Sequence, residues 1–139
     1  MNFFEGTIVA ETSQLWFDEG TGRIAVPDWA KSALRGRVGR RVSMGVRPQA
    51  ISDVPHKGSS GDASVLTMKV GVVEFLGDKM DVYVSTACHP HVIAHIDARG
   101  GIVANETRPM HFDPSRLQFF EADPSGVLLA APAFGSAAP

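Results

Sequence analysis

The residues with the richest chemistry in this chain lie together at Cys88-His89-Pro90-His91, with His95 four positions further on. Thiolate and imidazole at close spacing are the ligand types of a tetrahedral zinc site. Geometry counts against that reading for the last pair. On an extended chain His91 and His95 stand roughly 13 Å apart at about 3.3 Å per residue, so they share a face but not an ion. Cys88, His89 and His91 remain as candidate ligands, able to converge only at a turn that Pro90 restricts. The competing reading is a surface loop running into a half-exposed strand. A Ser-His-acid triad of the hydrolase kind needs its nucleophile on a sharp turn, and no G-x-S-x-G occurs. Nor is there a GxxxxGK[ST] phosphate loop. Gly20-Thr21-Gly22-Arg23 lacks the lysine and has hairpin-like flanks, so the chain by itself is expected to bind no nucleotide and to be no enzyme. Arg35, Arg37, Arg40 and Arg41 form a local basic run, suited to phosphate or an acidic partner, or simply a solvated connector before a strand.

Composition bounds what such residues can belong to. The 139 residues make one domain, and 44% hydrophobic against 20% charged is a globular balance. Thirteen basic and fifteen acidic residues leave a net charge of −2, which argues against a dedicated nucleic-acid binder. The single Cys88 allows no internal disulfide and fits a reducing compartment. No apolar run reaches the length that spans a bilayer, and the start of the chain lacks the basic residues of a signal peptide.

The elements that must position these side chains are mostly strands. Leu66, Met68, Val70 and Val72 alternate with polar or small residues. The apolar phase then shifts to Val73 and Phe75, which predicts a bulge or a strand buried on both faces. Gly77-Asp78-Lys79 turns the chain into a second strand over Met80–Val84, and Val92–Ile96 is a third. Gly100-Gly101 breaks that pattern. Earlier, Thr7–Ala10 reads as a short strand, and Gln14–Phe17 and Arg23–Val26 flank a Gly-containing hairpin loop. Pro27–Leu34 is the best helix candidate, with Asp28 as its cap and Trp29 and Ala33 on one side. Arg41–Val46 returns to strand and stops at Arg47-Pro48. Pro55–Ser64 reads as an exposed loop or hinge, and the chain from Leu129 on as a frayed tail, giving a domain over 1–129 and a tail over 130–139. Short strands at this spacing with a single short helix predict a β-barrel or sandwich.

Four motifs, in order, resemble one family. Met1-Asn2-Phe3-Phe4 is similar to the entry segment of the C-terminal accessory domain in sugar-importing ABC-transporter ATPases. Ser43-Met44-Gly45-Val46-Arg47-Pro48 resembles that domain's "G[IV]RPE" signature, and Val72–Gly77 its "VxExLG" segment. Phe112-Asp113-Pro114, Leu117–Glu121 and Ser125-Gly126 resemble its "FDPxxLHLFDxxTG" ending. The likeness runs from residue 1 to about 129. Gln49, Ala50, Gln118, Glu121 and His95 depart from the pattern, and the loop at Pro55–Ser64 looks longer than usual.

The resemblance implies a TOBE domain, an all-β, OB-type barrel akin to MOP-like barrels, with one short helix. It implies a non-catalytic regulatory and dimerisation role in the ATP-binding subunit of a maltose- or glycerol-phosphate-type importer. ATP and magnesium would belong to an upstream nucleotide-binding domain. Partners would be that domain, a second copy of the subunit, membrane permease subunits and a regulatory protein, on the cytoplasmic face of the membrane and without nucleic acid. On the matched motifs, Phe3, Gly39, Gly45, Arg47 and Gly77 are the expected contact positions. Arg47 has a rival reading as a structural arginine that closes the barrel on an acid, and Phe3 and Phe4 as core residues. The alternative function is a small-ligand module for an oxyanion such as molybdate, or for a sugar.

Overall fold

Alternation of apolar and polar residues makes strands of most of the chain. The computed structural model describes residues 1–56, 61–98 and 101–132. Strand β1 (Asn2–Glu11) buries Asn2, Phe4, Gly6 and Ile8 on one face and turns Phe3 and Glu5 outward. It is followed by β2 (Gln14–Asp18), β3 (Arg23–Ala25), helix α1 (Asp28–Leu34), β4 (Arg41–Val46) and β5 (Ile51–Ser52). The second half supplies β6 (Val65–Leu76), β7 (Lys79–Ser85), β8 (Val92–Asp97), β9 (Thr107–Phe112), β10 (Gln118–Glu121) and β11 (Leu128–Ala130). They pair antiparallel in two sheets, β11-β10-β4-β1-β2-β3 and β5-β9-β6-β7-β8. The sheets share one core, where Phe4 of the first meets Phe112 of the second edge-on at 5.6 Å. The result is a near-closed barrel with a single α-helix among the described residues.

Several expectations are refined. The phase shift in β6 is a bulge: Val70 faces Val84 but Val73 faces Val82, and the extra residue leaves Val72 62% exposed. In α1 the core-facing pair is Ala30 and Leu34, while Ala33 is exposed. Asp28 does not cap. Pro27 occupies the N-cap without a side-chain bond, and Asp28 instead pairs with Lys31 at 2.8 Å. Trp29 anchors the helix by donating Nε1–H to the Pro114 carbonyl at 3.0 Å. The end of the loop at 55–64 is a 3-10 turn, Gly61–Ser64, and residues 57–60 lie outside the described residues. Leu129 and Ala130, expected in the tail, belong to β11, which pairs with β10. Residues 133–139 are likewise outside the described residues, as is Gly100.

Gly6 lies one residue before Thr7, where β1 passes from pairing with β4 to pairing with β2. A Cβ there would stand 2.4 Å from the Asp18 carbonyl oxygen and 2.7 Å from the Phe17 ring. A backbone atom cannot yield as a side-chain tip can. Gly6→Ala is therefore expected to lower stability by about 1–3 kcal/mol, the usual range for overpacking. Gly36→Ala, with nothing within 4 Å of the added carbon, serves as the near-neutral control in chemical denaturation.

Candidate functional site

Between β1 and β8 the two sheets meet without a strand ladder, and buried side chains take its place. Asn2, 7% exposed, donates through Nδ2 to the carbonyls of Val46 at 3.1 Å and Ile93 at 2.9 Å, and its Oδ1 accepts from Ile93 N–H at 2.9 Å. One amide thus bonds both backbone groups of Ile93, as a neighbouring strand would.

The seam continues at Glu19, whose side chain is wholly buried in the β2–β3 loop. Its carboxylate accepts from Thr21 N–H at 3.1 Å, from the Thr21 hydroxyl, from the Thr86 hydroxyl at 2.5 Å and from His89 Nδ1 at 2.5 Å. The other ring nitrogen of His89, Nε2, accepts Glu5 N–H from β1 at 3.0 Å. A nitrogen that accepts carries no proton, so the proton sits on Nδ1 and is donated to Glu19. Thr86 also accepts from the N–H groups of Cys88 and His89, tightening the β7–β8 turn that carries the ring. Burial pushes the Glu19 carboxyl up, but the hydrogen bonds from Thr21, Thr86 and His89 outweigh it and hold it below its ordinary value of 4.5.

The cluster also shows where the three candidate zinc ligands lie. Both ring nitrogens of His89 are engaged by protein groups. Exposed Cys88 lies beside Gly20, in the cleft with Glu5 and Asp18, whereas exposed His91 lines a different cleft with Met1 and Val72. The three candidate ligands do not converge, and no group of three metal-ligating side chains occurs among the described residues. Glu19, a hairpin-loop residue by its sequence context, is the centre of the cluster. Its Thr21 neighbour two residues on is the one local signal of a satisfied carboxylate.

The expected contact positions scatter. Phe3 is 57% exposed on the outer face while Phe4 is fully buried, so the core reading holds for Phe4 and fails for Phe3. Phe3 lies opposite Gly45 in the β1–β4 ladder. A Cβ on Gly45 would stand 2.7 Å from Met1 Sδ and 2.9 Å from the Phe120 ring, so its absence lets these side chains lie over the strand. Gly39 and Gly77 have φ of +83° and +77°, conformations that favour glycine on their own account. Arg47 is exposed and makes no ion pair among the described residues, which overturns its reading as a barrel-closing arginine. An arginine–acid pair is made instead by Arg37 of the basic run, whose Nη1 reaches both carboxylate oxygens of Glu121 at 2.7 and 2.8 Å.

Two antiparallel sheets closed in this way, with one short helix against the core, define an OB-type β-barrel. The MalK OB fold domain model matches residues 1–51 and the TOBE domain model residues 44–120, and the chain belongs to the TOBE domain family. The oligosaccharides import ATP-binding protein MsmX of Bacillus subtilis (strain 168) is 30% identical over 125 residues, covering 88% of this chain and 33% of that protein. The uncharacterized ABC transporter ATP-binding protein YurJ of the same organism is 27% identical over 125 residues, covering 88% and 34%. The chain thus spans about a third of the length of these relatives. In fold it is similar to the cytoplasmic molybdate-binding protein ModG, with a TM-score of 0.64 at 16% identity over 91% of this chain and 95% of that one.

The family motifs map onto corners of this barrel. Arg47-Pro48 opens the 3-10 turn that carries the chain from β4 to β5 in the other sheet, Gly77 turns β6 into β7, and Asp113 accepts from Ser115 N–H at 3.0 Å before Pro114. Glu19, outside every motif, gives the clearest test. A carboxyl whose folded pKa lies below its unfolded value adds stability above that unfolded value, near 4.5, and loses it as pH falls through the folded one. Glu19→Gln is expected to cost about 1–3 kcal/mol at neutral pH, because partly buried donors lose one of their two acceptor oxygens and the charge on it. It should also flatten the loss of stability on acidification, read from urea midpoints across the acid range; an unchanged pH profile would refute the assignment.

Proposed function

We propose that this chain is a non-catalytic regulatory and dimerisation domain within the ATP-binding subunit of a carbohydrate-importing ABC transporter. The observation that carries the reading is the succession of the two family models along the chain, 1–51 and 44–120, with a relative whose name specifies oligosaccharide import. Nucleotide and magnesium belong, on this reading, to a separate nucleotide-binding domain of the same subunit. Partners are that domain, a second copy of the subunit, the permease subunits and a regulatory protein at the cytoplasmic face. On this reading, attachment to the membrane runs through those partners; no helix among the described residues is long and apolar enough to cross it.

The mechanism is one of effective concentration. A contact between two copies that persists while the nucleotide-binding domains separate keeps them close for the next closure. A regulator that prefers the separated state lowers turnover by shifting that population. Phe3, with Gly45 beneath it, and Arg47 are the proposed contacts, since barrel geometry accounts for Gly39 and Gly77. The alternative of an oxyanion module has less support. The clefts beside β1 present the carboxylates of Glu5, Asp18 and Glu121 against one guanidinium, Arg41, itself 3.5 Å from Glu5.

Calorimetry of this chain with Mg-ATP is expected to give no saturable heat, and micromolar affinity would overturn the reading. In the whole subunit, removal of the domain should leave ATP binding intact and lower steady-state ATPase turnover by several fold; unchanged turnover would count equally against it.

A further inference from the structure

Strand β6 outruns the sheet on one of its two sides. β7 pairs with it as far as Leu76. β9 pairs with it only from Val65 to Lys69, and the last bonds on that side run from Val70 N–H to the Glu106 carbonyl and from Asn105 N–H to the Val70 carbonyl, both at 2.8 Å. Asn105, at φ +73°, then takes the chain away. Along residues 71–76 no strand among the described residues pairs with that edge. The two-residue turn Gly77-Asp78 closes on the Leu76–Lys79 pair. Alternation of bonded and non-bonded pairs then makes Glu74–Asp81 the next bonded pair and turns the N–H and C=O of Val73 and Phe75 toward the free edge.

Sheets ordinarily guard such an edge with proline, lysine, inward charge or a bulge. Here only the bulge at its start is present, and the segment reads Gly71-Val72-Val73-Glu74-Phe75-Leu76. Phe75 is paired with buried Met80 and so lies on the core side of the sheet, yet it is 65% exposed because no strand lies beside it. Glu74 is exposed on the other side, across from Asp81, and makes no ion pair among the described residues.

Glu74 selects the occupant. A second copy paired antiparallel, with each Val73 bonded to the other copy's Phe75, would use every outward group, but it sets the two Glu74 carboxylates directly opposite each other, and like charges so placed destabilise a sheet. A different strand with Lys or Arg at that place turns the repulsion into attraction. Apolar residues on either side of the cation, opposite Val73 and Phe75, would cover the exposed ring.

We propose that the free edge of β6 at residues 71–76 takes up an extended segment of another protein by strand addition, with Lys or Arg opposite Glu74 between two apolar residues. The inference rests on the proposed function only for its biological setting. It gives the chemistry of one protein partner there, at a surface other than Phe3 and Arg47.

The test is an amide NMR titration of this chain, into the millimolar range, with the end-capped peptides Thr-Val-Lys-Val-Thr and Thr-Val-Glu-Val-Thr. The lysine peptide is expected to give saturable shifts and slowed hydrogen exchange at the Val73 and Phe75 amides, and the glutamate peptide to bind about tenfold more weakly. Methylating both valine nitrogens of the lysine peptide removes the donors to the edge and should abolish binding. Glu74→Lys, an exposed position, should reverse the order of the two peptides while core amides stay unchanged. No saturable shift with the lysine peptide overturns the proposal, as do equal binding of the two peptides and undiminished binding of the methylated one. Protection of Val73 and Phe75 that rises with the concentration of the chain alone also overturns it, by assigning the edge to a second copy. Absence of peptide binding while domain removal still lowers turnover sinks this inference alone, whereas peptide binding with unaffected turnover sinks the proposed function alone.

Discussion

Where β1 runs past β8, one buried amide and one buried carboxylate hold two sheets together that no ladder joins. Asn2 binds both backbone groups of Ile93, and Glu19 gathers Thr21, Thr86 and His89 into a knot whose far side, His89 Nε2, takes a main-chain N–H of β1. Each such bond has a modest net worth, about 0.5–1.5 kcal/mol, but a buried group left without its partner costs more. The seam therefore works as a unit. Losing a partner of either buried group leaves the Asn2 amide or the Glu19 carboxylate short of hydrogen bonds.

That arrangement also sets what the outer surface can do. With Asn2 and Phe4 directed inward, alternation sends Phe3 and Glu5 outward. The bare backbone of Gly45 lets Met1 and Phe120 pack around Phe3 without covering it. An exposed aromatic ring beside carboxylates is thus a consequence of closing the barrel with β1. It is also the surface on which a partner or a ligand finds chemistry to recognise.

Strand alternation made the barrel class, the β2–β3 and β6–β7 hairpins and the short helix legible in the sequence, because apolar periodicity is a local property. Strand β9 has no expectation in the sequence pattern, and it carries Pro109, a residue that strands disfavour. Pro109 is tolerated because β5 pairs only with His111 and Phe112, so no second ladder bond is demanded at the proline. The seam was illegible for a different reason. Glu19 sits in an Asp-Glu-Gly-Thr-Gly loop that looks solvated, and the partners that bury it lie 67 and 70 residues away. In the Cys88-His89-Pro90-His91 run, His89 joins Glu19 to the β1 backbone through its two ring nitrogens. The family motifs, for their part, mark turns and core positions. They were a guide to the fold and said little about which side chains make contacts.

The most direct measurement is amide hydrogen exchange at Glu5 and Ile93. Both N–H groups bond to side chains across the seam and to no partner strand. If the seam closes the barrel as described, the two amides exchange as slowly as those of the central β1–β4 ladder and lose protection together in Asn2→Ala. Fast exchange at both in the wild-type chain, at the rate of exposed loop amides, would contradict the account.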